Sequence, residues 1–389
     1  MPCSLGRLPY TFCCYFSQQM SSILILGSTG SIGMQALKVA QRFNIKIKGL
    51  SAGRNIPLLN AQIKTHQPSQ VAILDPSDRS LLQVPQGVEV FVGTQGICEM
   101  IACSQASLVL NAIVGFGGLA PTLSALQHHK KLALANKESL VVAGWLLDTK
   151  QILPIDSEHF GLWALLQKHP LEHVQMLYLT ASGGALRDVP LSDIPTQSLE
   201  KVLQHPNWQM GAPITINSAN MVNKLFEVLE AYWLFGLANI DAYIERTSSV
   251  HALIRFKDHS VHAQLSSPNM QLPIAHALMP SLACQTPLIE PLDLLSLPPL
   301  RFEPIDTARY PLWGLKDTLL ANPKLGVVLN ASNEAALQAF RAKKIAFGQM
   351  ANLMTQALEC FERDTLDLHT LEDILALDQE VRGFCTKLF

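Results

Sequence analysis

The chain has 389 residues, of which 48% are hydrophobic and only 15% charged, the composition of a well-buried globular protein and not of a disordered one. Its length favours two or three domains over a single core. The formal net charge of −2 gives no bulk field for nucleic acid or an anionic membrane, so any phosphate must be met by local groups, and no apolar run reaches the ~18–20 residues of a membrane span.

Residues 1–19 contain one Arg and no long apolar segment, which suits neither a secretion signal nor an organelle transit peptide. They are expected to be a leader without function, unstructured or not translated, with Met20 as the start. Ile23-Leu-Ile-Leu26 then reads as a buried strand, Gly27-Ser-Thr-Gly30-Ser-Ile-Gly33 as a glycine turn, and Met34 onward as a helix. Strand, glycine turn and helix in that order form the context of a dinucleotide fingerprint. The spacing is G-x-x-G-x-x-G in place of G-x-G-x-x-G, and a ligand-free tight turn is the alternative. A second strand, Ile45–Ser51, ends in Ala52-Gly53-Arg54-Asn55 with no carboxylate for a ribose 2′-OH. An arginine suits a 2′-phosphate, which favours NADP, unless Arg54 is a solvated turn residue. Strands at 71–74, 88–92, 108–114 and 131–135 alternate with helical stretches, and this block, 20–150, is the expected nucleotide domain.

Past Ile152-Leu-Pro-Ile155 come Asp156-Ser157-Glu158-His159. They are either paired carboxylates projecting to one side of a turn or a surface acidic turn capping the next helix. A strand at 174–180 ends in Ala181-Ser182-Gly183-Gly184. The stretch 205–230 starts as a loop with His205, Trp208 and Met210, and Asn217 and Ser218 are expected to cap a helix there. Within it Asn223, Lys224 and Glu227 share one side, near an N-terminus that prefers anions. An ordinary Lys–Glu pair on a wet helix face is the bland alternative. Ile244, 250–256 and 261–265 read as antiparallel strands. The eight cysteines (Cys3, Cys13, Cys14, Cys98, Cys103, Cys284, Cys360 and Cys385) show no zinc spacing and are scattered as free thiols are in a reducing compartment. Prolines crowd 285–311, an expected extended linker. From 312 to the end the pattern is helical, with Asn330–Glu334 expected as a helix cap.

Six of these stretches together resemble one family: Gly27–Gly33, Ala135-Asn-Lys-Glu-Ser-Leu140, Asp156–His159, Ser182–Gly184, His205-Pro-Asn-Trp-x-Met-Gly211 and Asn223-Lys-x-x-Glu227. They occur in the order and context of 1-deoxy-D-xylulose-5-phosphate reductoisomerase, over about residues 21–389. The resemblance implies an α/β protein with an N-terminal doubly wound Rossmann-like domain, a central α+β catalytic and dimerisation domain at 151–284, and a C-terminal helical bundle at 312–389. It implies an NADPH-dependent enzyme of non-mevalonate isoprenoid synthesis, using Mg²⁺ or Mn²⁺, cytoplasmic and homodimeric, with a phosphosugar substrate. Asp156, Glu158 and Glu227 then correspond to metal ligands, with Lys137 and His159 as catalytic neighbours. Ser157, Ser182, His205, Trp208, Met210, Ser218, Asn223 and Lys224 correspond to substrate contacts. Ser28, Thr29, Gly30, Ser31, Ile32, Gly53, Arg54, Asn55, Asn136, Glu138 and Gly211 correspond to the cofactor side. An all-oxygen shell of three carboxylates suits Mg²⁺ or Mn²⁺ and not zinc. The chain departs from the family pattern at Pro213, Asn217, Leu225, 244–248, Asn269 and Gln271. Two rivals stand beside this reading: a silent NADPH-binding homologue, and a reductoisomerase for another phosphosugar.

Overall fold

The first strand, β1 (Ser22–Leu26), is buried along its whole length. Leu24 and Leu26 face one layer of side chains, Ile23 and Ile25 the other, because successive residues of a strand point to opposite faces. A strand covered on both faces is apolar throughout, as in parallel sheets sandwiched by helices. The computed structural model describes residues 22–208 and 210–389, so the leader expected at 1–19 lies outside the described residues.

After β1 come α1 (Ser31–Arg42), β2 (Lys46–Ala52), α2 (Ile56–His66), β3 (Gln70–Ile73), β4 (Glu89–Val92), α3 (Gly93–Cys103) and β5 (Leu108–Asn111). Next are α4 (Leu119–Gln127), β6 (Lys131–Leu134), α5 (Lys137–Ala143) and β7 (Ile152–Pro154). These strands form one 7-stranded sheet in the order β4-β3-β2-β1-β5-β6-β7, with every neighbouring pair parallel. Strand order reverses between β1 and β5. The loops after those two strands therefore border the crevice where doubly wound sheets hold ligands. Ile152–Pro154, just past the boundary expected at 150, pairs with β6 and closes the sheet.

α6 (Ser157–Leu166) leads into β8 (Val174–Ala181), then α7 (Leu199–Val202), α8 (Ala212–Ala219) and α9 (Val222–Phe235). β9 (Ile240–Ile244), β10 (Val250–Phe256) and β11 (Val261–Leu265) follow. The second sheet is 5-stranded, ordered β11-β10-β8-β9-β12, the last being the short Glu303–Pro304. β9 runs parallel to β8, not antiparallel as expected around Ile244, and α7–α9 supply the long crossover such a pairing needs. α10 (Gln271–Leu278) and α11 (Pro280–Ala283) then return to the first sheet, where Ile274, Ala275 and Leu278 join the Ile23 and Ile25 layer. From the proline-rich 285–311, Glu303–Pro304 (β12) pairs with β9.

The chain ends in α12 (Lys316–Ala321), α13 (Gly326–Arg341), α14 (Phe347–Phe361) and α15 (Leu371–Thr386). α13 does not start at an Asn330–Glu334 cap. It starts at Gly326, and Asn330 and Asn333 are buried inside it. A Cβ on Gly326 would lie 2.1 Å from the Val141 carbonyl oxygen, so only glycine lets α13 sit directly on α5. Among the described residues no helix is long and apolar enough to cross a membrane.

Candidate active site

The stretch expected to be one capped helix is two helices. Asn217 and Ser218 lie inside α8, where Ser218 Oγ donates back to the Ile214 carbonyl at 2.9 Å. The break falls at Met221, a left-handed residue with φ 68° that precedes α9. Such a conformation is uncommon for a non-glycine residue and tends to mark sites where geometry is held for function. It turns α9 so that Asn223, Lys224 and Glu227 meet the start of α6.

Asp156 caps α6, its Oδ1 accepting the Glu158 N–H at 3.2 Å, and a capping role leaves its other oxygen free for the cluster. Its Oδ2 accepts from Lys137 Nζ at 2.6 Å, and the same ammonium donates to Glu227 Oε1 at 3.0 Å. Lys224 Nζ donates to the other Glu227 oxygen and to the Thr180 carbonyl, with Glu158 Oε1 3.4 Å away. Lys224 and Glu227 are only 4% and 2% exposed, which rules out a wet-face pair. Oxygens of Asp156, Glu158 and Glu227 lie within 4.8 Å of one another. Behind them His159 donates from Nδ1 to Asp156 Oδ1 at 3.1 Å and from Nε2 to the Glu227 carbonyl at 2.8 Å; Glu230 Oε2 lies 3.4 Å from Nδ1.

Crowded buried carboxylates perturb one another. Burial, with Glu227 and Asp156 beside it, pushes the Glu158 carboxyl up to about 8, against the pull of Lys224. Burial works against a charged Lys137, but Asp156, Glu227 and Glu230 outweigh it and hold the ammonium well above the usual lysine range. Burial likewise opposes a charged His159, yet Glu230 and Asp156 raise it to about 9. The cluster therefore favours cations wherever they can be placed.

At the other end of the same cavity, His205 Nδ1 accepts the backbone N–H groups of Asn207 and Trp208 at 3.2 and 2.9 Å. The ring proton is thus on Nε2, which donates to Ser182 Oγ at 2.9 Å. Burial, then the Arg187 charge, lowers His205 to about 4, consistent with a neutral ring. Ser182 Oγ also accepts the Gly184 N–H at 3.1 Å. With both acceptor positions taken, its O–H is left to donate into the cavity.

The glycine turn lies on the first-sheet side. Gly27 has φ +73°, and a Cβ on Gly33 would lie 2.3 Å from the Gly27 carbonyl oxygen. Gly30 precedes α1 and gives it no side-chain cap, so its first N–H groups remain available to an anion. Ser31 and Ile32 line the cavity that holds Asp156, Lys224, Ser182 and His205.

Three family models match the chain: 1-deoxy-D-xylulose 5-phosphate reductoisomerase over residues 23–144, its C-terminal domain over 152–235, and the DXP reductoisomerase C-terminal domain over 265–384. The chain belongs to the 1-deoxy-D-xylulose 5-phosphate reductoisomerase family. A reductoisomerase from Helicobacter pylori is 57% identical over 361 residues, 92% of this chain and 98% of that protein. One from Wolinella succinogenes is 49% identical over 366 residues, 94% of this chain and 100% of that protein. A crystal structure of a DOX-P reductoisomerase in complex with NADPH, fosmidomycin and magnesium superposes with TM-score 0.87 at 32% identity, covering 94% of this chain and 98% of that one. The Zymomonas mobilis reductoisomerase in complex with NADPH gives 0.82 at 32% identity, covering 95% and 99%.

In this reductoisomerase one cavity gathers Asp156, Ser157, Glu158, Lys137, Ser182, His205, Trp208, Met210, Gly211, Ser218, Asn223, Lys224 and Glu227. His159 is fully buried behind it. Thr29 and Gly30 sit in the glycine turn; Gly53 and the exposed Arg54 follow β2, and Asn55 caps α2 through the Leu58 N–H at 3.2 Å. Ser28 is placed differently from its neighbours. Its N–H and hydroxyl donate to Ser51 O and Gln62 Oε1 at 2.8 and 2.7 Å, and its carbonyl accepts Gln62 Nε2 at 2.9 Å. All its polar groups have partners inside the protein, so it braces the turn. Asn136 caps α5 and, with Glu138, faces the loop after β5. Glu230, Thr180 and Met270 went unnoticed. Glu230, three residues past Glu227, looks like any helix-surface carboxylate, and only the packing around α9 buries it to 1% exposure.

Proposed function

We propose that Asp156, Glu158 and Glu227 hold a divalent cation and that Ser182, Ser218, Asn223 and Lys224 receive the phosphate of the substrate. The protein is an NADPH- and metal-dependent enzyme that isomerises and reduces 1-deoxy-D-xylulose 5-phosphate to 2-C-methyl-D-erythritol 4-phosphate, for non-mevalonate isoprenoid synthesis. The observation that carries the residue assignment is the set of three carboxylates within 4.8 Å in one cavity with the first turn of α1. The donor set fits the cation, being hard and all-oxygen, and suits Mg²⁺ or Mn²⁺. The uncapped start of α1, with Arg54 beyond β2, fits a phosphorylated dinucleotide.

Held by Asp156, Glu158 and Glu227, the cation would supply Lewis-acid polarisation of the substrate carbonyl, and NADPH would supply the hydride. Lys137 holds Asp156 and Glu227 in register, and His159 fixes the far side of Asp156, so that these carboxylates keep one geometry through turnover. Ser182 offers its free O–H, oriented by His205. Trp208, Met210, Met221 and Met270 give the cavity an apolar wall that excludes water from a reactive carbonyl. The domain reading follows the same lines, with the first sheet for NADPH, the second for substrate and dimerisation, and α12–α15 as a helical unit. β11 is an edge strand with Val261 52% exposed, which supports a homodimer through this edge. The free thiols among the described residues support a cytoplasmic setting. The test is NADPH oxidation by purified protein given 1-deoxy-D-xylulose 5-phosphate, with Mg²⁺, with Mn²⁺ and with chelator. Metal-dependent oxidation is expected, and none with either metal would refute the reading.

A further inference from the structure

The loop after β5 forms the second wall of the crevice at the point where strand order reverses. Its backbone is pinned from three directions. Asn111 and Asn136 hold it from the ends of β5 and β6: Asn111 Oδ1 accepts the Ile113 N–H at 3.1 Å, and Asn136 Nδ2 donates to the Ile113 and Gly115 carbonyls at 2.7 and 2.8 Å. Glu138 accepts the Gly115 N–H at 3.2 Å. The third hold comes from the far end of the chain: Glu334 Oε1, on α13, accepts the Phe116 N–H at 2.8 Å. The contact is close enough that a Cβ on Gly115, at φ +77°, would lie 2.8 Å from Glu334 Oε1.

Glu334 is itself locked. Arg382 on α15 donates to its Oε2 at 2.8 Å and grips Asp378 through two nitrogens at 2.6 and 2.9 Å. A guanidinium fixed by a two-pronged carboxylate contact has little freedom left. The chain of contacts runs Asp378, Arg382, Glu334, Phe116 N–H, and so from the C-terminal helices into the crevice wall. An acidic side chain packed against the wall of a crevice that takes a polyanion is costly unless its charge is neutralised or used. Here its charge is spent on a backbone N–H and on Arg382.

We infer that Glu334 is a positioning residue for the cofactor: held by Arg382, it sets the loop after β5 at the spacing from the glycine turn that NADPH requires. This rests on reading the first-sheet crevice as the NADPH site. The C-terminal helices thereby contribute to cofactor affinity without touching the acidic cluster that works on the substrate.

The test combines direct NADPH titration, steady-state kinetics and amide hydrogen exchange on the full chain. Glu334→Ala raises the NADPH Kd and KM about tenfold, the scale of one lost charge-assisted hydrogen bond, and speeds exchange at the Phe116 amide in cofactor-free protein. The KM for the phosphosugar and kcat at saturating NADPH stay within about twofold. Glu334→Gln keeps an acceptor for that N–H and holds the Kd within about threefold of wild type. Arg382→Met leaves Glu334 in place but unlocked, raising the Kd to a lesser extent than Glu334→Ala; it also decides the matter if Glu334→Ala does not fold. Wild-type NADPH affinity in both Glu334→Ala and Arg382→Met, or equal losses for cofactor and phosphosugar, overturns the inference. A wild-type protein that binds no NADPH refutes instead the crevice assignment on which it rests.

Discussion

Lys137 bridges Asp156 and Glu227, its ammonium 2.6 Å from an oxygen of the first and 3.0 Å from one of the second. One side chain from the first residue of α5 thereby joins the cap of α6 to the second turn of α9. Glu227 is the shared partner of both buried lysines. Glu227→Gln keeps its shape but removes a charged oxygen, and turnover is expected to fall by orders of magnitude because one anionic ligand is worth several kcal/mol in the transition state. The Mn²⁺ concentration for half-maximal rate rises. NADPH titration stays near wild type, since the glycine turn is untouched. Wild-type turnover in this variant would remove Glu227 from the site.

Lys224→Ala separates the phosphate role from the metal role by sign. Lys224 is a cation lodged between Glu158 and Glu227. Without it the carboxylates are less neutralised, so half-saturation by Mn²⁺ should fall or stay level, opposite to Glu227→Gln. The KM for the phosphorylated substrate should rise about tenfold or more, because a lost charge-assisted phosphate contact costs on the order of 1.5–3 kcal/mol. Kinetics with Mn²⁺ varied at several substrate levels reads both effects. An unchanged substrate KM would leave Lys224 a purely internal partner of Glu227.

The local signals in the sequence were strong where the physics is local. An apolar strand followed by a glycine turn and a helix identifies the β1–α1 unit, since the close Gly33 to Gly27 approach tolerates no side chain. Asp156 and Glu158 were visible because a cap position and a strand end coincide. Pairing direction was not legible, because period-two patterning around Ile244 is the same for parallel and antiparallel strands. Nothing in the chemistry of Met221 announces a left-handed residue, so the sequence suggests one helix where the structure has two. Asn330 and Asn333 looked like caps because short polar side chains usually avoid helix interiors; here tertiary packing buries them inside α13. Glu230 and Glu334 were missed for the same reason, their partners lying on other elements.

Arg54 tests the cofactor choice. It follows β2 where a carboxylate would select a ribose hydroxyl, and it is exposed. Arg54→Ala is expected to lower kcat/KM for NADPH roughly tenfold or more, the size of a lost charge-assisted phosphate contact, and to leave NADH use almost unchanged. Parallel assays with the two cofactors decide it. Equal losses with both would make Arg54 structural.

His205 predicts a pH dependence of stability with a defined window. Burial, then Arg187, lowers it from 6.5 to about 4 in the folded protein. Between those values the unfolded chain takes up a proton that the folded ring refuses. Stability attributable to this site is therefore present above pH 6.5 and lost as pH falls toward 4. His159 works in another window: raised to about 9, it contributes stability below pH 6.5 that is lost as pH rises through 9. In His205→Asn the His205 contribution is absent, while those of other lowered histidines, His251 and His276 among them, persist and cancel in the comparison. The difference in urea midpoint between wild type and His205→Asn should therefore change between pH 6.5 and 4 in the direction that disfavours the wild type. Protonation near 4 also takes Nδ1 away from the Asn207 and Trp208 N–H groups, so the protection of those two amides, measured against their intrinsic exchange rate at each pH, should fall toward pH 4 in the wild type. A midpoint difference that is flat from 6.5 to 4, with steady protection of both amides, would show that the ring titrates normally and that His205 is not the neutral orienter of Ser182.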